Sequence, residues 1–254
     1  MTLPRPLFRG LYGLYVWVAG LLLLPPLWLV TISLPGMDRR RRFASCAMQF
    51  IARAIGNPIR IEGLDELPPG PAIVVANHIS YLDGPMMLLA LPPRFSFVVK
   101  VEASRVPVIA LMLRRMGCTF VSRDNAAQGS ADTRRLIRAL KAGQSLGLFP
   151  EGHIQRRPGL QPFRLGAFLI AAQCGVPVVP AVIRGTRGFL ARNAWWPAHS
   201  PIHIRLLPPI QPEARGRAAA ERLRDAAYAA ILRHCEEPAA LPSAGTQSTR
   251  ASAA

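Results

Sequence analysis

Short apolar runs alternate with helix-like stretches along most of the chain. Ala72–Ala76, Ser96–Val101, Cys118–Ser122, Leu146–Phe149 and Val178–Ile183 are apolar at most consecutive positions, the pattern of strands covered on both faces. In Ile202–Leu207 the first five residues instead alternate apolar and polar, which predicts an edge strand or one with a single buried face. Three helices separate these strands. Val106–Met116 has Pro107 near its start and Gly117 past its end; Ala131–Ala142 follows a candidate cap at Ser130 and stops at Gly143; Phe163–Cys174 stops at Gly175. Proline inside a helix start and glycine beyond its end are the usual stop and start signals. Ala218–His234 carries Leu223, Ala227 and Ile231 on one face, a terminal amphipathic helix. The alternation predicts an α/β fold with a mostly parallel central sheet flanked by helices. No internal repeat is visible.

The amino-terminal pattern is different. Leu11 to Leu34 holds no charged residue; as one helix it would be roughly 36 Å long at about 1.5 Å per residue, enough for a bilayer core of about 30 Å. Pro25-Pro26 interrupts it, however, and two adjacent prolines predict a kink or break. The two arms would then each be too short to span. Tyr12, Tyr15, Trp17 and Trp28 favour the headgroup level, and arginines flank both ends, at 5 and 9 and again at 39–42. These features predict a broken, re-entrant or interfacial helix pair, with a single span as the alternative. A cleavable leader is disfavoured by the prolines and by the lack of a small-residue cleavage site. The organisation expected is therefore a membrane-associated helical segment over 1–43, a folded domain over 44–237 and a disordered tail over 238–254.

Composition sharpens the membrane reading. All but Lys100 and Lys141 of the 31 basic residues are arginines, against 14 acidic ones, a formal net charge of +17. Such a field attracts anionic membranes or nucleic acid. A mean hydropathy of +0.22 favours the membrane. Half the residues are hydrophobic and 18% are charged, which excludes a disordered or fibrous chain. Cys46, Cys118, Cys174 and Cys235 are widely spaced with no C-x-x-C pair, which argues against a disulfide scaffold or cysteine zinc site and for a reducing compartment.

Functional groups in such sheets lie beyond the carboxyl ends of strands. Two segments fall there. Asn77-His78-Ile79-Ser80-Tyr81-Leu82-Asp83 follows the first strand. If the chain turns between them, Asp83 can hold one imidazole nitrogen of His78 and leave the other free to take a hydroxyl proton. This is the base and orienter of a triad with no serine or cysteine nucleophile required. The bland alternative has Ser80 and Asp83 capping a helix beside an ordinary His78. Phe149-Pro150-Glu151-Gly152-His153 follows another strand, where a glycine lets the backbone approach a ligand; a plain turn is the alternative there.

These segments, with others in order, resemble the glycerolipid acyltransferase family typified by the lysophosphatidic acid acyltransferases. The likeness covers about residues 70 to 190. Residues 77–83 are similar to the family's N-H-x-S-x-x-D block, Lys100-Val101-Glu102 to its lysine segment, and Gly117 to Arg123 to its glycine-to-arginine block. Phe149-Pro150-Glu151-Gly152, Phe163-Arg164-Leu165-Gly166-Ala167 and Val176-Pro177-Val178-Val179-Pro180 are similar to the F-P-E-G, F-K-x-G-A and V-P-V-V-P blocks.

The resemblance implies an enzyme that moves an acyl chain from acyl-CoA or acyl carrier protein to the free hydroxyl of lysophosphatidic acid. It implies His78 as general base and Asp83 as its support. Asn77, Ser80, Lys100, Arg123, Glu151, Gly152 and Arg164 are the implied substrate-binding residues. No metal or redox cofactor is needed for such a transfer, because the thioester already makes it downhill. Together with the basic, apolar amino terminus, the likeness implies a seat on the cytoplasmic face of the inner membrane, which presents an anionic surface. The chain departs from the family pattern in reading His153-Ile154 after F-P-E-G and in having arginine at 164. Both changes lie near the acceptor, so another lyso-lipid such as a lyso-aminolipid is the alternative substrate. The distant alternative, a non-catalytic basic membrane- or nucleic-acid-binding protein, gives the His78/Asp83 pair no purpose.

Overall fold

The computed structural model describes residues 5–121, 126–154, 159–190, 194–235 and Pro238. Helix α1 (Arg5–Ser33) and helix α2 (Met37–Ala54) precede the sheet. The sheet is built from β1 (Ile59–Glu62), β2 (Ile73–Ala76), β3 (Phe95–Lys100), β4 (Thr119–Val121), β5 (Ser145–Leu148), β6 (Val178–Arg184) and β7 (Ile202–Leu206). Helices α3 (Asp83–Ala90), α4 (Pro107–Arg115), α5 (Ala126–Lys141), α6 (Gly166–Cys174), the single turn α7 (Thr186–Phe189) and α8 (Arg217–His234) connect and cover it.

Strand order is β1-β7-β6-β2-β5-β3-β4. β6, β2, β5, β3 and β4 run parallel, and the reversed pair of β7 and β1 joins through an antiparallel β6–β7 ladder. Every residue of β2 is buried. Ile73 and Val75 point to a core shared with α5, α6 and α8; Val74 and Ala76 point to one shared with α2 and α3. A strand with helices on both faces has no polar side, and its unbroken apolar run follows from that.

The predicted α/β class and mostly parallel sheet therefore hold. Several boundaries differ. β7 alternates buried and exposed residues, as a one-sided strand does, yet it is interior; the edge belongs to β1, which its four short residues hid. Helix α5 begins at Ala126, so Ser130 lies inside it rather than capping it. Helix α6 begins at Gly166, three residues after the expected Phe163.

The amino terminus departs most. α1 is continuous through Pro25 and Pro26. Each proline removes a ladder donor, but its fixed φ is itself a helical value, so the helix need not end there. At 29 residues it is about 43 Å long, and Leu7–Ser33 is long and apolar enough to cross a membrane. After Gly36, α2 carries the chain past residue 43, so the boundary expected between 43 and 44 falls within a helix. The buried Arg41 fastens α2 to the domain. Its guanidinium donates to Met116 O (2.8 and 2.6 Å), Pro93 O (2.7 Å) and Phe95 O, and Arg40 Nη1 donates to Arg115 O (3.1 Å). These arginines reach the carbonyls that close α4, which suits cations at a helix C-terminus. Trp196 packs on Gly13 of α1 and donates its indole N–H to Arg9 O (3.0 Å), while Trp195 is 84% exposed. Apart from Pro238, the expected tail lies outside the described residues.

Candidate active site

The carboxyl end of β2 delivers Asn77 and His78 into a turn that opens α3 at Asp83. Asp83 shapes that turn. Its Oδ2 accepts the backbone N–H of Ile79 (2.6 Å) and of Ser80 (2.7 Å), and lies 3.1 Å from His78 Nδ1. Its Oδ1 accepts the hydroxyl of Thr186 (2.6 Å). The carboxylate is fully buried, where an acceptor must be satisfied by donors. A carboxylate only accepts, so this contact suits a ring protonated at Nδ1, which would leave Nε2 as the acceptor. The His78 side chain keeps 18% of its surface open. The five-residue spacing thus brings the His78 imidazole and the Asp83 carboxylate together.

The second segment meets the first. Phe149 stacks on the imidazole, ring centroids 4.1 Å apart at 15°. The buried Glu151 braces the turn: Oε1 accepts the His78 N–H (2.6 Å) and Oε2 accepts the Gln161 N–H (3.1 Å). Gly152 has φ +85°, a backbone state that side chains rarely adopt, and a Cβ there would fall 2.7 Å from Arg164 Nε. Arg164 therefore lies across this turn, and its own N–H donates to Pro150 O (2.9 Å). The exposed His153 follows in the same turn.

Other expected residues sit differently. Asn77 is buried and its amide continues the sheet: Nδ2 donates to Ile183 O (2.9 Å), and Oδ1 accepts the Ile183 N–H (2.7 Å). Ser80 is buried and donates to Leu190 O (2.9 Å). Both polar groups are occupied by the fold. Lys100 ends β3, two strands from β2, and pairs with Glu102 at 3.1 Å. The Glu102 carboxyl is held below its ordinary range, first by its own backbone N–H and then by that ammonium. Arg123 lies outside the described residues. No cluster of three or more His, Cys, Asp or Glu suited to a metal occurs among the described residues. Burial pushes the Cys118 thiol up to about 11, so it is no nucleophile near neutral pH.

Two residues that touch the His78–Asp83 pair, Phe149 on the imidazole and Thr186 on the carboxylate, are not among the sequence-derived site groups. Phe149 directly follows β5, and Thr186 follows β6 after the turn glycine Gly185. That position was the available signal.

Residues 58–184 match the family model described as Acyltransferase. A lyso-ornithine lipid O-acyltransferase of Pseudomonas aeruginosa is 30% identical over 216 residues, 74% of this chain and 79% of that protein. A chloroplastic 1-acyl-sn-glycerol-3-phosphate acyltransferase of Arabidopsis thaliana is 35% identical over 172 residues, 63% of this chain and 48% of that protein. The 1-acyl-sn-glycerol-3-phosphate acyltransferase of Borreliella burgdorferi is 26% identical over 156 residues, 61% and 62% of the respective chains. The chain thus belongs to the acyltransferase family, while it spans about half the length of the Arabidopsis relative. The crystal structure of the 1-acyl-sn-glycerophosphate acyltransferase PlsC from Thermotoga maritima has the same fold, with a TM-score of 0.68 over 91% of this chain and 94% of that one, at 22% identity.

Proposed function

We propose that the protein moves a fatty acyl chain from acyl-CoA or acyl carrier protein to the free hydroxyl of lysophosphatidic acid, giving phosphatidic acid. The observation that carries this reading is the His78–Asp83 pair at the carboxyl edge of the sheet, with Nδ1 engaged by the buried carboxylate. His78 Nε2 takes the hydroxyl proton as the oxygen attacks the thioester carbonyl. The thiolate leaves and receives the proton from the imidazolium. No acyl-enzyme forms. Asp83 supports the imidazolium, and Glu151 fixes the peptide that carries His78. Arg123, Gly152 and Arg164 form the headgroup site, with Lys100 at its margin; guanidinium groups suit phosphate because they pair with it bidentately and stay charged.

A membrane seat accompanies this chemistry, on the cytoplasmic face of the inner membrane. It is supported by the apolar surface of α1, where Leu21 is 75% and Leu22 66% exposed. Val106, Val108 and Ile109 at the start of α4 are exposed as well, next to exposed Arg105, and Arg39 and Arg42 of α2 are exposed too. Apolar side chains edged by cations suit an anionic leaflet.

The second reading keeps the mechanism and changes the acceptor to a lyso-aminolipid. The lyso-ornithine lipid relative, which aligns over most of both chains, favours it. The test is purified protein in liposomes, given lysophosphatidic acid or lyso-ornithine lipid with one acyl donor and followed by lipid mass analysis. Acylation of lysophosphatidic acid is the expected result. Acylation of the aminolipid alone selects the second reading, and acylation of neither overturns both.

A further inference from the structure

The end of β6 and the chain just beyond it reach the His78 turn at three of the turn's polar residues. Ile183 holds Asn77, Leu190 O accepts Ser80, and Thr186 donates to Asp83. Local geometry explains how a hydroxyl arrives there. Gly185 has φ +82°, and a Cβ at that position would lie 2.0 Å from Pro201 O. The chain therefore turns tightly against residue 201, and the next residue opens α7. Thr186 is fully buried, so its hydroxyl needs an internal acceptor.

The two oxygens of Asp83 have unequal company. Oδ2 receives both backbone donors and the imidazole, and Oδ1 receives Thr186. Rotation of a carboxylate about its last torsion is soft and roughly two-fold. A partner on Oδ1 opposes that rotation and keeps Oδ2 in line with Nδ1. We propose that Thr186 is a positioning residue of the transfer site: its bond to Asp83 Oδ1 aims Oδ2 at the Nδ1–H of His78 and so fixes the tautomer that leaves Nε2 open to the acceptor hydroxyl. The claim rests on the role assigned to His78 above. Thr186 touches no reacting atom, and it lies two residues past the span matched by the family model.

The test compares Thr186→Val, which keeps shape and removes the hydroxyl, with Thr186→Ser, which keeps the hydroxyl. Both are made in the full chain in liposomes. Loss of one buried hydrogen bond predicts a kcat lower by about 5- to 100-fold for the Val variant. Both KM values should stay within about twofold, since no substrate contact is lost. The Ser variant should recover most of kcat. Nitrogen resonances of labelled histidine should report His78 protonated at Nδ1 in the parent and Ser proteins, and a mixture of tautomers in the Val protein. If Thr186→Val does not fold, Thr186→Ala is read against Thr186→Ser in the same two measurements. A variant lacking the hydroxyl that melts earlier but keeps kcat per folded molecule, or keeps the parent tautomer, overturns the proposal in favour of a purely structural bond. An active His78→Ala protein would instead defeat the reaction role of His78, and the tautomer measurement would still decide the positioning claim.

Discussion

The edge of the sheet around His78 and the helix α1 follow opposite rules. Around His78 the named polar groups have internal partners: the Asp83 carboxylate takes four donors, and Asn77, Ser80 and Glu151 are held by backbone from distant parts of the chain. On α1 the long apolar side chains face outward, and only 11% of its most apolar window is buried. The first region is held from within, as the general-base role proposed for His78 would require. The second leaves its apolar surface uncovered, and apolar area of that extent marks a binding face. Chemistry and placement are thus separable properties of this molecule, and substitutions can address them one at a time.

The largest effect should come from His78→Ala. A general base contributes about 10²–10⁴-fold, and the variant should lose that much kcat while keeping its circular dichroism and its attachment to vesicles; retention of more than about a tenth of activity would sink the base assignment. Asp83→Asn should follow closely in activity and also lower stability, because an amide N–H₂ must meet donors already aimed at that buried site, a conflict of about 1–3 kcal/mol. Thermal melting and kcat measured side by side would check it, and a variant matching the parent in both would contradict the account of the turn.

The third break addresses the other region. Leu21→Glu with Leu22→Glu should release the protein from vesicles of anionic lipid, since each exposed leucine is worth about 1.5–3 kcal/mol when buried. Turnover of acceptor dispersed in detergent should be nearly unchanged. Equal losses in both assays would mean that α1 supports the fold rather than the seat. Next, Arg41→Met should destabilise the chain by about 3 kcal/mol by leaving several buried carbonyls without donors; an unchanged denaturation midpoint would refute that. The smallest effect is expected for Arg123→Ala, a rise of about tenfold in the acceptor KM with kcat little changed. A fall in kcat alone would take Arg123 out of the headgroup site.

The comparison also explains what could be read from the residues. The strands under both layers of helices were legible because burial on two faces forces unbroken apolar runs, as in β2 and β6. The pairing of His78 with Asp83 was legible because both lie in one turn, five positions apart. Thr186 was not, since its partner is 103 residues away and only the sheet order brings β6 beside β2. Likewise β1 is a four-residue strand whose outward Arg60 and Glu62 broke the apolar signal. The first turns of α2 carry a run of four arginines, 39–42, and nothing local says that the second and third reach the end of α4. Continuity of α1 through its prolines was missed because proline's missing donor was weighed above its helical φ.

Arg41 has one further consequence. Because its planar head grips carbonyls of two separate connections, α2 is a bracket bolted to the sheet domain rather than a leash for α1. On the proposed membrane seat this would make the height of His78 above the leaflet a fixed dimension, and inserting or deleting a helical turn before Met37 would raise or lower the proposed reaction centre relative to the acceptor.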